Sequence, residues 1–209
     1  MRNWVRTAGL VVALVLGCCG LIVIKAVYPL WWLLGFILFL VGGVVSDRIS
    51  DRRTRRRLGA EGWQSVPADQ PWPWLPLIEP PGKATVRVAL TRTVDRLPVT
   101  VGEIAWDGNA LAGAVKGYGG QGVFVVVELP APTGSMALRR SGRTIGTSHR
   151  LDFPAMRAAF EAGEIPPWTA AGDRLFTFTA TGDRLRVAAA QEAVRRTLLV
   201  VPLLDLGPD

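Results

Sequence analysis

The residues able to do chemistry are few, and their spacing argues against most of the familiar uses. Gly117-Tyr118-Gly119-Gly120-Gln121-Gly122 matches the G-x-G-x-x-G pattern of phosphate-cradling loops. That use needs a helix immediately afterwards, so that its N-terminal amides meet the phosphate. Here a run that is apolar but for Glu128, residues 123–129, follows instead, and the glycines read as a hairpin loop. Protein kinases place such a loop between strands, but the VAIK, HRD and DFG motifs are all missing. His149 is the single histidine, beside Ser148 and near Asp152. A nucleophilic triad is a three-dimensional arrangement, and adjacent residues of an extended chain point to opposite sides. His149 is therefore read as a loop residue. Cys18 and Cys19, the only cysteines, lie inside an apolar run. This excludes a disulfide framework, a zinc site and a cysteine nucleophile. The carboxylates are scattered, and a two-carboxylate hydrolase leaves no local signature to recognise. No catalytic, cofactor-binding or metal-ligating residue is assigned.

The elements that would carry such groups are organised by charge and hydropathy. The 209 residues carry a net charge of +7, and the chain is 49% hydrophobic, so the location of the apolar residues matters. All but three of the 24 basic residues are Arg, a bias read as codon usage in a GC-rich genome. Residues 1–57 hold nine basic and two acidic groups, which accounts for the whole net charge and leaves residues 58–209 neutral. Nucleic-acid binding normally needs a basic face on the folded domain, and it is not expected here.

Two stretches, 8–24 and 30–45, contain no charge at all. A bilayer core of ~30 Å needs about 20 helical residues at ~1.5 Å each. Helices over about 8–27 and 29–46 meet that length, with Lys25 and Pro29 at the turn between them. One continuous helix would bury both in hydrocarbon, where a charge and a missing N–H are costly. Residues 1–46 are thus expected to form a transmembrane hairpin. Trp4, Tyr28, Trp31 and Trp32 are placed as interfacial anchors, and Lys25 snorkels to the same surface. Gly9, Ala13 and Gly17, with Gly35, Gly42 and Gly43, would let the two helices approach closely.

A basic segment follows, residues 47–63, read as a juxtamembrane helix ending at Gly62. Its Arg48, Arg52, Arg53, Arg55, Arg56 and Arg57 are assigned to the membrane surface. Positive flanks stay on the cytoplasmic side, so both termini are expected in the cytoplasm of a multi-pass plasma-membrane protein. Val15-Leu16-Gly17-Cys18 resembles a lipoprotein cleavage box, but the sequence after Cys18 stays apolar instead of turning polar. A signal peptide is disfavoured on the same ground and by the second span.

Residues 64–83 contain six prolines and read as an extended linker or a strap over the domain. Pro73-Trp74-Leu75-Pro76 fits a minimal PxxP pattern, though Trp72 and Trp74 are expected on the domain surface or at the lipid interface. Residues 84–209 are expected to form an α+β domain with a mostly antiparallel sheet. Alternation in 84–94 predicts a half-buried strand, Asp95-Arg96 a tight turn, and 97–106 its partner. The run 123–129 predicts a strand covered on both faces, and 135–140 a further strand. A short helix over 153–162 ends at Gly163, and 175–178 is a strand. Asp183 is expected to cap a helix over 184–200, with Val187, Ala190, Val194 and Leu198 as its apolar stripe.

The order of basic helix, Gly62-Trp63, covered strand before Leu129-Pro130-Ala131-Pro132, short helix, Pro166-Pro167-Trp168 and closing helix near Pro202 resembles a family of uncharacterised membrane-anchored proteins of high-GC Gram-positive bacteria. That likeness implies two N-terminal spans and a cytosolic α+β domain, with no activity to transfer. A run of strands closed by a C-terminal helix is also similar to bacterial pleckstrin-homology-like domains, and implies a barrel, from which the 153–162 helix departs. The functional expectation is a membrane-tethered cytosolic module without a cofactor. Its partners would be the bilayer, with anionic lipids near the basic segment, and another protein. The alternative is an enzyme working near the membrane through scattered carboxylates.

Overall fold

The computed structural model describes Thr54 and residues 56–78, 81–111, 113–182 and 184–207. The expected hairpin, residues 47–53 and 55 of the basic segment, and Asp183 lie outside these residues. Residues Arg53–Asp209 form one compact unit. No helix among the described residues is long and apolar enough to cross a membrane.

Six strands make a single antiparallel sheet: β1 (Gln64–Ser65), β2 (Lys83–Val94), β3 (Leu97–Asp107), β4 (Gly119–Leu138), β5 (Thr144–Ile145) and β6 (Trp168–Ala180). Pairing runs β1-β2-β3-β4, and the long β4 then takes β6 along its length and β5 at its C-terminal end. This is an open path, in which no described pairing joins β6 back to β1 or β2. The barrel variant would require such a closing ladder. Among the described residues, α-helices follow at α1 (Pro154–Glu161), α2 (Val187–Leu198) and α3 (Val200–Leu203), besides a helical turn at 56–60 before the sheet.

The β2–β3 hairpin follows from its turn. Asp95 and Arg96 both have positive φ, 50° and 66°, and Val94 pairs directly with Leu97. A two-residue loop of that hand matches the twist of the flanking strands. Within β2 the register slips between Val86 and Val88. The extra residue reverses which side each later side chain faces. Ala84 and Val86 accordingly pack on one face of the sheet, while Val88 and Val94 pack on the other.

Of the run 123–129, residues 123–127 and 129 are buried, because β3 and β6 flank the run and cores lie on both faces, while Glu128 is exposed. The expected separate strand at 135–140 is instead the far half of β4. Pro130 and Pro132 cannot donate to a ladder, and the β4–β6 register jumps from Glu128↔Arg174 to Thr133↔Gly172 around them. The strand bends there and continues.

One face packs Val99, Val101, Val123, Val125 and Val127 against Ala190 and Val194 of α2 and Val200 and Val201 of α3. Thr177 of β6 and Thr197 of α2 join their hydroxyls at 2.8 Å across that interface, and Thr197 also donates to the Ala193 carbonyl. The opposite face is covered by the proline-rich segment. Trp72 and Trp74 are buried, contrary to their expected surface position. Their rings stack at 5.2 Å and 8°, and Trp74 meets Phe124 and Phe178 edge-on. Each such pair adds about 0.5–1.5 kcal/mol beyond area burial. The strap crosses this face through turns and a 3-10 helix at Leu75–Leu77, and its two indoles complete the second core.

The closing helix starts later than expected. Arg186 is extended (ψ 149°) and α2 begins at Val187 without a side-chain cap. Residues 184–186 are irregular chain, and Leu185 N–H bonds to Glu103. The helix is also interrupted at Leu199, before α3. Pro202 has no N–H for the carbonyl one turn earlier, so an unbroken helix cannot pass through it.

Candidate functional site

The basic segment enters the folded domain through its last turn. Residues 56–60 are helical, and Gly62, at φ +86°, ends the turn in the left-handed conformation suited to glycine. Trp63 N–H donates to the Leu58 carbonyl at 3.1 Å. Leu58 is wholly buried and Trp63 nearly so, both in the core shared with α2 and α3. Arg92 of β2 donates to the Glu61 carbonyl at 2.8 Å and lies 5.4 Å from the Trp63 ring centroid. Gln191 of α2 donates to both carboxylate oxygens of Glu61 at 3.0 and 3.2 Å. Arg56 and Arg57 are exposed immediately before this junction. Of the other residues assigned to the membrane, Arg48, Arg52, Arg53, Arg55, Trp4, Lys25, Tyr28, Trp31 and Trp32 lie outside the described residues.

The glycine motif serves packing. Gly119, Gly120 and Gly122 belong to β4, with no helix after them. A Cβ on Gly120 would stand 2.8 Å from the Trp106 ring, and one on Gly122 would stand 2.2 Å from the Thr179 carbonyl oxygen. Glycine is required for these approaches. His149 is exposed in a 3-10 turn, and the Ser148 hydroxyl caps that turn by accepting from Arg150 N–H at 3.3 Å.

Among the described residues one carboxylate is buried, and nothing in its neighbours along the chain marks it. Glu103 sits on β3 among apolar neighbours. Its Oε1 accepts from Arg87 Nη1 at 3.2 Å and its Oε2 from Leu185 N–H at 3.1 Å. Oε1 thus ties β3 to β2, and Oε2 ties the sheet to the segment before α2. No group of three His, Cys, Asp or Glu side chains that could hold a metal occurs among the described residues.

Concavities on the described surface include a groove and a cavity on opposite faces of the sheet. A shallow apolar groove runs between α1 and α3, floored by Ala155, Ala158, Ala159 and Ala162 and walled by Leu199 and Leu203. Arg196 fixes its end, donating to the Gly163 and Glu164 carbonyls at 2.7 and 3.2 Å. On the opposite face, beside the tryptophan strap, a cavity of about 300 Å³ is lined by Trp74, Phe176 and Phe178 with Arg139, Asn109 and Thr169.

These observations define an α+β domain, a mostly antiparallel sheet carrying its C-terminal helices on one face and an aromatic strap on the other. No family model, curated protein or solved structure matches the chain.

Proposed function

We propose that the chain is a membrane-tethered cytosolic interaction module. Helices over about 8–27 and 29–46 form a two-pass hairpin in the plasma membrane, with both termini cytoplasmic. Trp4, Lys25, Tyr28, Trp31 and Trp32 sit at the interfaces. Arg48, Arg52, Arg53, Arg55, Arg56 and Arg57 lie along the anionic inner leaflet, each contributing about 1 kcal/mol near the surface. The likeness to pleckstrin-homology-like domains extends to an antiparallel sheet closed by a C-terminal helix and no further.

The observation that carries this reading is the junction itself. Leu58, one residue after Arg57, is built into the domain core, and Glu61 is tied to both β2 and α2. Arg56 and Arg57 thus lie immediately beside the folded core in the chain, and leaflet binding by these two would hold the domain near the surface. The groove between α1 and α3 is the surface such a module offers to a protein partner. Its small alanine floor suits a row of apolar side chains presented by a helix. The rival enzyme reading loses its most buried carboxylate, because both oxygens of Glu103 are already bonded within the fold.

Photo-crosslinking from position 158 of the full chain in native membranes tests the binding surface. A discrete protein adduct that disappears with Leu199→Asp supports the reading. An adduct to lipid alone, or one indifferent to Leu199→Asp, contradicts it.

A further inference from the structure

The neutral total of residues 58–209 conceals an uneven distribution. Residues 129–160 hold five arginines, at 139, 140, 143, 150 and 157, against a single acidic residue, Asp152. The fold gathers these positions at one end of the domain. Arg139 N–H donates to the Arg143 carbonyl and Gly142 N–H to the Arg139 carbonyl, both at 2.8 Å, which closes the β4–β5 hairpin in a tip of residues 139–143. The tip lies against α1, since a Cβ on Gly142 would meet the Phe160 ring at 3.8 Å. Arg140 and Thr144 of the hairpin, Leu151 of the 3-10 turn, and Arg157, Phe160 and Glu161 of α1 line one concavity between them. Arg150 directly precedes Leu151 in that turn.

Arg140, Arg143 and Arg157 are exposed. Although Glu161 shares the concavity with two of them, none of the three makes an ion pair among the described residues. An apolar ring stands beside these charges. Phe153, at the start of α1, is 41% exposed, in contrast to the usual burial of phenylalanine. Arg157 N–H reaches the Phe153 carbonyl at 3.4 Å, so the two residues are one helical turn apart on the same side of α1. Leu138, Leu151 and Met156, beneath this end, belong to the same core as Leu58 at the junction with the basic segment. The junction and the basic end therefore rest on one face of the sheet.

Arginines spread around an exposed ring suit a surface that is negative throughout. Near an anionic leaflet a guanidinium is attracted without a fixed geometry, and a neighbouring aromatic side chain enters the headgroup boundary. We infer that this end of the domain docks on the anionic inner leaflet, with Arg140, Arg143, Arg150 and Arg157 among the head groups and Phe153 at the acyl boundary. The inference rests on the membrane-tethered reading and adds to it a contact made by the folded domain itself. The tether favours the leaflet over nucleic acid, because it holds the domain beside lipid at a high effective concentration.

The test uses the full chain with Cys18 and Cys19 replaced by Ser and a dye on Ser141→Cys, at the exposed tip. It is placed in nanodiscs of phosphatidylcholine alone or with phosphatidylserine, containing nitroxide head-group lipids that quench a dye at the surface. Co-elution with the discs reports the tether, and quenching reports the docked tip. The ratio of docked to free tip should be about tenfold higher or more in the charged discs, and raised salt should reduce it. Arg140→Gln, Arg143→Gln and Arg157→Gln together should return quenching to the level of the neutral discs, and Phe153→Ser should lower it in part. Lys83→Gln, Lys116→Gln and Arg195→Gln, which remove as much charge from other exposed positions, should keep it. Circular dichroism spectra report whether each variant retains the fold. Equal quenching in the two kinds of disc overturns the inference, while co-elution leaves the tether standing. So does quenching that survives the triple change at this end, or that falls equally with the other triple. Displacement of the tip by equimolar duplex DNA assigns this end to nucleic acid and likewise overturns it. A chain that enters neither disc removes the tethered reading and this inference with it.

Discussion

The carboxylate of Glu103, at the centre of β3, accepts a hydrogen bond at 3.1 Å from the backbone N–H of Leu185, two residues before α2. This bond joins positions 82 residues apart and fixes where the C-terminal helix begins its approach to the sheet. A buried N–H left without its acceptor costs about 1–3 kcal/mol. Glu103→Ala should therefore lower stability by about 2–3 kcal/mol in urea unfolding. Glu103→Gln, which retains an acceptor but loses the attraction of Arg87, should cost about half as much. Equal stability of all three proteins would show that the bond carries no weight.

The domain's true edge lies in the basic segment. Leu58 is fully buried and Trp63 nearly so, and β1 extends the sheet beyond β2. A fragment of residues 54–209 should therefore be soluble and melt cooperatively. A fragment starting at residue 66 should lose that transition or melt far lower, and Leu58→Ala in the longer fragment should cost about 2–5 kcal/mol. Identical melting of the two fragments would contradict this edge.

Gly102 marks a close crossing between strands. A Cβ there would stand 2.1 Å from the Val88 carbonyl oxygen and 2.5 Å from the Phe124 ring. The obstacle is partly backbone, so rotamer changes cannot relieve it. Gly102→Ala should destabilise the fragment by about 2–3 kcal/mol or more, measured by chemical unfolding. A neutral effect would mean that β2 and β3 shift apart without cost.

Arg195 donates to Glu192 through Nε at 2.8 Å and Nη2 at 2.7 Å, one turn along α2. These hydrogen bonds, with the Arg195 charge, hold the Glu192 carboxyl below its ordinary range. A carboxylate with a depressed folded pKa stabilises above its unfolded value and loses that contribution as pH falls through the folded value. Glu192→Gln should thus lower the melting temperature slightly at neutral pH and leave it unchanged once the carboxyl is protonated. The pair is fully exposed, and salt should shrink the neutral-pH difference. A difference that grows on acidification would reverse the assignment.

What could be read from residue order alone was local. The strand over 84–94, the Asp95-Arg96 turn, the strand over 123–129 and the Pro154 start and Gly163 end of α1 all rest on near neighbours and appear in the fold, although a bulge at 86–88 breaks the alternation and Glu128 is exposed. What escaped depends on partners distant in sequence. Residues 135–138 are one strand with 119–129 because β6 pairs across both prolines. Trp72 and Trp74 looked like surface groups in a polar, proline-rich stretch, but Phe124, Phe176 and Phe178 supply their core from elsewhere. Glu103 carries no local mark of burial, since its partners Arg87 and Leu185 lie on other elements. The cavity at Arg139 likewise gathers side chains from the strap, two loops and β6.

The central claim is that the domain is tethered on the cytoplasmic side of the plasma membrane. It is tested most directly by labelling a single cysteine at Ser141, an exposed position, in a chain whose Cys18 and Cys19 are replaced by Ser. With the full chain expressed in cells, a membrane-impermeant maleimide should leave position 141 unlabelled until the membrane is opened, and the protein should sediment with membranes throughout. Labelling in intact cells, or recovery of the chain in the soluble fraction, would contradict the account.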